Sequence, residues 1–172
     1  MAESAPGGRP ARTGPGGPAH RVRLVQVAGF PLAPDLLYQP ETHMWVLLTG
    51  MARARIGMDV LGIETSGTLA ELSLPPVRAK LAAGRPFGQL EAAKFVGPLV
   101  SPVSGTVLAV NEAVAADPGL VEREPYGAGW LIEAELSNPA GELPGLLRDP
   151  EEITRWFAAA AESYRREGVI AQ

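Results

Sequence analysis

From His43 onward, short apolar segments alternate with turns rich in Gly, Pro and Asn. This spacing is typical of mostly antiparallel strands in a sandwich or barrel. Within the last segment, the chain alternates between apolar and acidic positions up to Leu136, which indicates one buried face and one solvent-facing face. The six segments read as strands are HMWVLL, ARARI, TLAELSL, PFGQLEAA, GTVLAVN and GWLIEAEL. Before TLAELSL, the segment GMDVLGIETSG predicts a short helix or a turn.

The pattern changes period near the carboxyl end, over residues 149–168. Asp149 supplies an N-cap, Pro150 occupies the first helical position, and Glu152 stands where a carboxylate can reach back to the cap. Gly168 is a stop signal. Between these signals, apolar residues recur with the period of a helix and form a stripe along one face, which predicts a helix packed on the sheets. The stripe consists of Ile153, Trp156, Phe157, Ala160 and Tyr164.

The first 19 residues show no apolar period, and their Gly and Pro content leaves too little apolar surface to offset the entropy of ordering. We expect a disordered leader over residues 1–19, a sandwich domain over residues 20–148 and the helix over residues 149–168. The leader contains Arg and few acids, as a transit peptide does. However, its Gly and Pro would break an amphipathic helix, so a bacterial cytoplasmic extension is the preferred interpretation.

Composition excludes several classes of chemistry. The chain has no Cys and only two His, His20 and His43, which argues against disulfides, thiolate or histidine metal sites and a cysteine nucleophile. No apolar run approaches the roughly 20 residues that a bilayer requires, so no membrane association is expected. The chain has a net charge of −4, and the residues after the Arg-containing amino terminus are more acidic than that segment. This acidity argues against nucleic acid as a partner.

Only two of the 15 basic residues are lysines, Lys80 and Lys94. If PFGQLEA and LVSPVSG pair as a hairpin, AAKFVGP forms the turn and presents Lys94 at its tip, with Gly97 and Pro98 supplying the turn chemistry. An exposed lysine on a rigid hairpin suits covalent modification, although a plain solvated turn lysine fits the same pattern. Schiff-base chemistry would need a lowered pKa, for which a hairpin tip offers no cause.

This stretch resembles the lipoyl attachment hairpin of the glycine cleavage system H-protein family. The resemblance rests on Glu91 three residues before Lys94, on SPVSGTVLAVNEA, and on EPYGAGW about a dozen residues later; YQPETHMWV also matches. It covers the chain from about Tyr38 to the C-terminal helix. It implies a mainly β fold: a lipoyl-type barrel sandwich of two small antiparallel sheets with a C-terminal α-helix.

By the same resemblance, Lys94 would carry lipoic acid in amide linkage. Glu91 would help the lipoyl-attaching enzyme recognise the hairpin, and Gly84 and Gly105 would allow its turns. Biotin is the rival group, but biotin carriers usually place Met on both sides of the lysine, where this chain has Ala93 and Phe95. Lys80, which we interpret as a solvated turn residue, is the other candidate lysine.

A member of this family is a carrier and not an enzyme. The resemblance implies four partners: a pyridoxal-phosphate glycine decarboxylase, a tetrahydrofolate-dependent aminomethyltransferase, a flavin dihydrolipoyl dehydrogenase, and the lipoyl-attaching enzyme. The carrier would take the aminomethyl group from the first, pass it to the second and be reoxidised by the third. The expected location is the bacterial cytoplasm, or the mitochondrial matrix in a eukaryote.

Two departures from the family pattern lie where partner contacts could be decided. The family generally has His-Glu-Trp where this chain has Met44 in the middle, and small or acidic residues where Phe95 to Pro98 follow the lysine. An altered partner or neutral drift both explain them. The alternatives are therefore an H-like lipoyl carrier of another pathway, such as heterodisulfide-reductase-like sulfur oxidation, or an unmodified interaction module.

Overall fold

The computed structural model describes residues 20–172, so the predicted leader over residues 1–19 lies outside the described residues. Each of the six predicted strand segments contains a strand. The strands are β1 (Val25–Val27), β2 (Phe30–Leu32), β3 (Leu37–Gln39), β4 (Met44–Leu48), β5 (Arg53–Met58), β6 (Leu69–Ser73), β7 (Lys80–Leu81), β8 (Pro86–Ala92), β9 (Val96–Val100), β10 (Gly105–Val110) and β11 (Ile132–Leu136).

Five α-helices and one short 3-10 helix accompany the strands in residues 20–172. The segment GMDVLGIETSG contains a true helix rather than a turn. The helices are α1 (Val60–Ser66), α2 (Glu112–Ala116), α3 (Gly119–Arg123), α4 (Pro139–Glu142), the 3-10 helix Leu143–Gly145, and α5 (Pro150–Arg166).

The strands form antiparallel sheets of unequal size. A six-stranded sheet has the order β3-β4-β5-β11-β10-β7, and a three-stranded sheet has the order β6-β8-β9. A separate ribbon pairs β1 with β2. The mainly β sandwich with a C-terminal helix is thus confirmed. The two predicted sheets are accompanied by a third, because β1 and β2 hydrogen-bond to each other and not to the other strands, while their apolar side chains pack in a core with Trp45 of the six-stranded sheet.

The six-stranded sheet contributes to two cores, and β4 shows this directly. Met44 and Val46 belong to the core shared with the three-stranded sheet, which includes Leu90. Trp45 points to the opposite face and packs in a second core with Phe157 of α5. Because successive strand residues point to opposite faces, one strand contributes to both cores.

Helix α5 begins as the sequence predicts. The Asp149 side chain accepts a hydrogen bond from the Glu151 amide at 3.0 Å. Ile153, Phe157 and Ala161 are fully buried on the second core, while Trp156 and Tyr164 are partly buried beside it. Apolar burial of this kind contributes roughly 1.5–3 kcal/mol per large side chain, so α5 is an integral covering of the larger sheet.

Candidate functional site

Lys94 lies at the tip of the hairpin formed by β8 and β9. Its turn is shorter than the sequence suggested. The Ala92 amide donates to the Phe95 carbonyl at 2.9 Å, which leaves Ala93 and Lys94 as the two turn residues. The expectation that Gly97 and Pro98 form the turn is wrong, because both lie in β9 and pair with β8.

Pro98 is accommodated in a strand because β9 is the edge of its sheet. Hydrogen-bonded and non-hydrogen-bonded pairs alternate along an antiparallel ladder. Counting from the Ala92–Phe95 bond, the Gln89–Pro98 pair is of the non-hydrogen-bonded type, so the ring nitrogen of Pro98 faces away from β8. Proline is tolerated in that position, and it also protects the edge from pairing with another chain.

The hairpin tip is held by the segment that joins α1 to β6. The Lys94 amide donates to the Ser66 carbonyl at 2.9 Å, and the Ala93 amide donates to the Thr68 carbonyl at 2.9 Å. Gly67 stands between these acceptors with φ +81° and ψ −166°, a conformation that essentially only glycine adopts. The backbone is therefore held at Lys94 itself and at the residue before it.

The side chain of Lys94 is exposed, and its aliphatic stem rests on Gly67. A Cβ placed at Gly67 would lie 3.1 Å from Lys94 Cγ, so the absent side chain leaves the space that the stem uses. Among residues 20–172 no carboxylate forms an ion pair with the Lys94 ammonium. The amine is thus accessible, while its backbone is rigid. Sequence reasoning missed Gly67, although the glycine closing GMDVLGIETSG was the available signal.

A cleft of about 350 Å³ opens beside Lys94. Glu64 on α1 and Glu122 on α3 line this cleft together with the lysine, and both are exposed. The remaining lining is small or apolar: Val60, Ile63, Gly67, Thr68 and Ala93. After modification of Lys94 to an amide, the charges at this cleft would be acidic.

Glu91 is exposed on the outward flank of the hairpin. It pairs with Glu71 of β6 on one side and with Val96 of β9 on the other. Directly opposed residues share a face of an antiparallel sheet, so the two carboxylates lie side by side. This acidic flank faces away from the core, because the neighbouring Leu90 and Ala92 point inward.

Phe95 lies on the other flank, and 45% of it is exposed. A Cβ at Gly97 would come within 2.8 Å of the Phe95 ring atom Cε1. Gly97 pairs with the buried Leu90, so its missing side chain would face the core side of the sheet. The ring therefore lies along the core side of the edge strand, opposite Glu91 and Val96.

The remaining predicted residues lie away from the tip. Gly84 adopts φ +78° in the turn before β8, with its amide bonded to the Ser101 carbonyl at 2.8 Å. Gly105 opens β10, and a Cβ there would collide with the Glu135 carbonyl oxygen. The interpretation of Lys80 as a turn residue is wrong, because Lys80 lies in β7. There its ammonium donates to the Thr106 hydroxyl at 2.9 Å.

Met44 does not lie where the sequence comparison suggested. It is only 2% exposed and belongs to the core between the sheets. A side chain in that position cannot contact a docked partner, so this departure from the family pattern changes packing and not the docking surface. Of the two departures, only the one at Phe95 to Pro98 reaches the surface beside Lys94.

A buried polar network joins β4, α1 and α5. His43 Nδ1 lies 2.9 Å from Asp59 Oδ2, and His43 Nε2 lies 2.7 Å from the Tyr164 hydroxyl. Asp59 is 0% exposed and caps α1 by accepting from the Gly62 amide at 2.9 Å. Burial, followed by the nearby Asp59, raises the pKa of Tyr164. The network fixes the amino end of the helix whose carboxyl end supports Lys94.

Within residues 20–172, no three His, Asp or Glu side chains come together as a metal site requires. None of the helices in this range has the length and apolar character needed to cross a bilayer.

Fold and site together define a lipoyl-type sandwich that displays one lysine on a supported hairpin. The family model described as glycine cleavage H-protein matches residues 36–158. The glycine cleavage system H protein of Mycobacterium avium (strain 104) is 42% identical over 109 residues, covering 63% of this chain and 82% of that protein. The H protein of Corynebacterium jeikeium (strain K411) is 39% identical over 115 residues, covering 65% and 89%.

A solved structure of a glycine cleavage system H protein from Mycobacterium marinum matches with a TM-score of 0.63 and 29% identity. The match covers 72% of this chain and 98% of that one. The chain belongs to the glycine cleavage H-protein family. The resemblance noted in the sequence is thereby confirmed, and the role of a lipoyl carrier follows from the family.

Proposed function

We propose that Lys94 is the lysine that carries lipoic acid, and that the chain serves as the carrier of a glycine cleavage system. The observation that carries this assignment is an exposed amine that forms no ion pair with any residue of 20–172, on a tip whose backbone is hydrogen-bonded to Ser66 and Thr68. The other lysine, Lys80, donates to Thr106 from within a strand, which makes it the poorer anchor.

Attachment needs little from the chain beyond access to Lys94. Its Nζ, once deprotonated, attacks an activated lipoyl carboxyl; the C–N bond forms and the activating group leaves with the electron pair of the broken bond. One of the two protons of the neutral amine passes to solvent and the other stays on the amide nitrogen, so the chain becomes one unit more negative than it was with the charged ammonium. Glu91, exposed three residues before the anchor, is placed to meet a basic group of the attaching enzyme.

The lipoyl group would supply a cyclic disulfide that is reduced when it accepts the aminomethyl unit and is reoxidised afterwards. The chain's own residues provide the tether. Ser66 and Thr68 hold the anchor point still and Gly67 supports the start of the Lys94 stem, while the exposed amine end remains accessible. Tethering raises the effective concentration of the carried group at each docked enzyme without tight docking.

The proposed partners are the glycine decarboxylase, the aminomethyltransferase, the dihydrolipoyl dehydrogenase and the lipoyl-attaching enzyme. The acidic side chains around the tip, Glu64, Glu71, Glu91 and Glu122, favour partners with basic rims. The chain itself is proposed to be a substrate of these enzymes and not an enzyme. The proposed location is the bacterial cytoplasm.

One observation favours a second candidate, an H-like lipoyl carrier of another pathway. The exposed apolar pair Phe95 and Val96 stands where the family generally has small or acidic residues. Such a change alters the polarity of the surface that enters a partner's cleft. The burial of Met44 weakens this alternative, because one of its two departures does not reach the surface.

The first test is intact-mass measurement after co-expression with a lipoyl-attaching enzyme. We expect a gain of one lipoyl group in the wild-type chain and in Lys80→Arg, and none in Lys94→Arg. A gain retained in Lys94→Arg would contradict the assignment, and an unmodified wild-type chain would favour the interaction module. A biotin-sized gain would identify the rival cofactor.

The second test separates the two pathways. The lipoylated chain is mixed with purified glycine decarboxylase and aminomethyltransferase, and release of carbon dioxide from labelled glycine is followed. Turnover that depends on lipoylated Lys94 supports glycine cleavage. A fully lipoylated chain that supports no turnover would instead favour the other pathway.

A further inference from the structure

Two adjacent apolar side chains beside the anchor are not covered by the fold. Phe95 is 45% exposed and Val96 is 60% exposed. Single exposed apolar residues need no special explanation. These two, however, directly follow Lys94 on a hairpin whose tip must enter any enzyme that acts on the lysine amine.

The position of the Phe95 ring depends on Gly97. Gly97 does not have a positive φ, so its backbone does not require glycine. Glycine inside a strand is also less favourable than Ala. In its present position the ring uses the space left by the missing Cβ, because a Cβ would approach its Cε1 to 2.8 Å and the ring would have to move. The strand thus holds an aromatic ring at the edge of the tip.

The distance between an enzyme's active site and the hairpin backbone indicates which of the proposed partners contacts this ring. An enzyme that acylates Lys94 Nζ must bring its own surface within one side-chain length of the hairpin backbone. Enzymes that act on the far end of an attached arm work a whole acyl chain further away. The residue next to the anchor is therefore constrained most by the attaching enzyme.

Resting on the proposed lipoylation of Lys94, we propose that Phe95, seated on Gly97, is an apolar specificity determinant for the lipoyl-attaching enzyme. That enzyme carries an apolar pocket for the ring beside its lysine channel. On the opposite flank, Glu91 and Glu71 face a basic side chain of the same enzyme. The hairpin is thus recognised by an aromatic flank and an acidic flank, and not by its acidic flank alone.

The test measures kcat/KM for lipoylation of the purified, unmodified full-length chain by a lipoate-protein ligase, with lipoate and ATP. We expect Phe95→Ala to lower kcat/KM by about thirtyfold or more, the size of effect that marks a binding hot spot. Gly97→Ala, which keeps the ring but displaces it, should also lower kcat/KM.

Val77→Ala is the matched control, because Val77 is 53% exposed and follows β6 at the end away from the tip. It should react at the wild-type rate. Phe95→Gln keeps a long side chain over Gly97 but is polar, so it should share the loss and serves if Phe95→Ala does not fold. Wild-type kcat/KM in either folded variant would overturn the proposal. Failure of the proposed function looks different: the wild-type chain would not be lipoylated at Lys94.

Discussion

Replacing Asp59 by Ala should destabilise the protein more than an ordinary helix cap does. The Asp59 side chain is fully buried and makes two contacts, to the Gly62 amide at 2.9 Å and to His43 Nδ1 at 2.9 Å. Loss of a helix cap costs about 1 kcal/mol. A buried polar group left without its partner costs roughly a further 1–3 kcal/mol. The expected total is about 2–4 kcal/mol.

Asp149 offers a matched control at the start of α5. It caps its helix through the Glu151 amide, but it is exposed and has no buried side-chain partner among residues 20–172. Asp149→Ala should therefore cost only about 1 kcal/mol, the value for a cap alone.

Urea unfolding followed by far-ultraviolet circular dichroism gives both values, provided that the dependence on urea is unchanged between variants. Asp59→Asn, which retains an acceptor for Gly62, should lose less stability than Asp59→Ala. Equal losses in Asp59→Ala and Asp149→Ala would refute the reasoning, since the buried contact to His43 would then contribute nothing.

Two further predictions follow from the geometry. Gly67→Ala should lower the free energy of unfolding by roughly 1–3 kcal/mol because of its φ of +81°, and it should slow lipoylation by displacing the stem of Lys94. Gly127→Ala is the control, because open space surrounds Gly127, and it should change neither stability nor rate. Denaturant unfolding and a ligase assay measure the two effects, and a Gly67→Ala variant of wild-type stability would contradict the strain argument. Burial raises the pKa of all three tyrosines. Above about pH 10, the ordinary tyrosine pKa, the unfolded chain therefore loses phenol protons that the folded chain keeps. The free energy of unfolding should fall as the pH rises through this range. Most of the phenolate absorbance, that of the deeply buried Tyr38 and Tyr126, should therefore appear only with loss of native circular dichroism, whereas Tyr164 is only partly buried. Ionisation of all three tyrosines in the folded protein would disprove this expectation.

The helix α5 shows what local patterns can predict. Its cap at Asp149 and its end near Gly168 depend on nearest neighbours in the chain, and both agree with the structure. The stripe was nearly right as well, but Ala161 is fully buried and Ala160 is not, because the second core decides which small residues it covers.

The hairpin shows where local patterns are insufficient. Gly and Pro ordinarily indicate turns, so Gly97 and Pro98 were placed in one. The structure accommodates both within β9, since the edge of the sheet tolerates a proline and the Phe95 ring uses the space at Gly97. Turn signals alone do not report whether a strand is at an edge.

The sequence by itself determined the antiparallel strands and the C-terminal helix, and it singled out Lys94 as the proposed anchor, because period, capping and family motifs are properties of neighbouring residues. Only the tertiary structure decided that Met44 is buried, that Ser66 and Thr68 support the tip, and that His43, Asp59 and Tyr164 meet. Those contacts join residues far apart in the chain, and they exist only once the sheets and helices have packed.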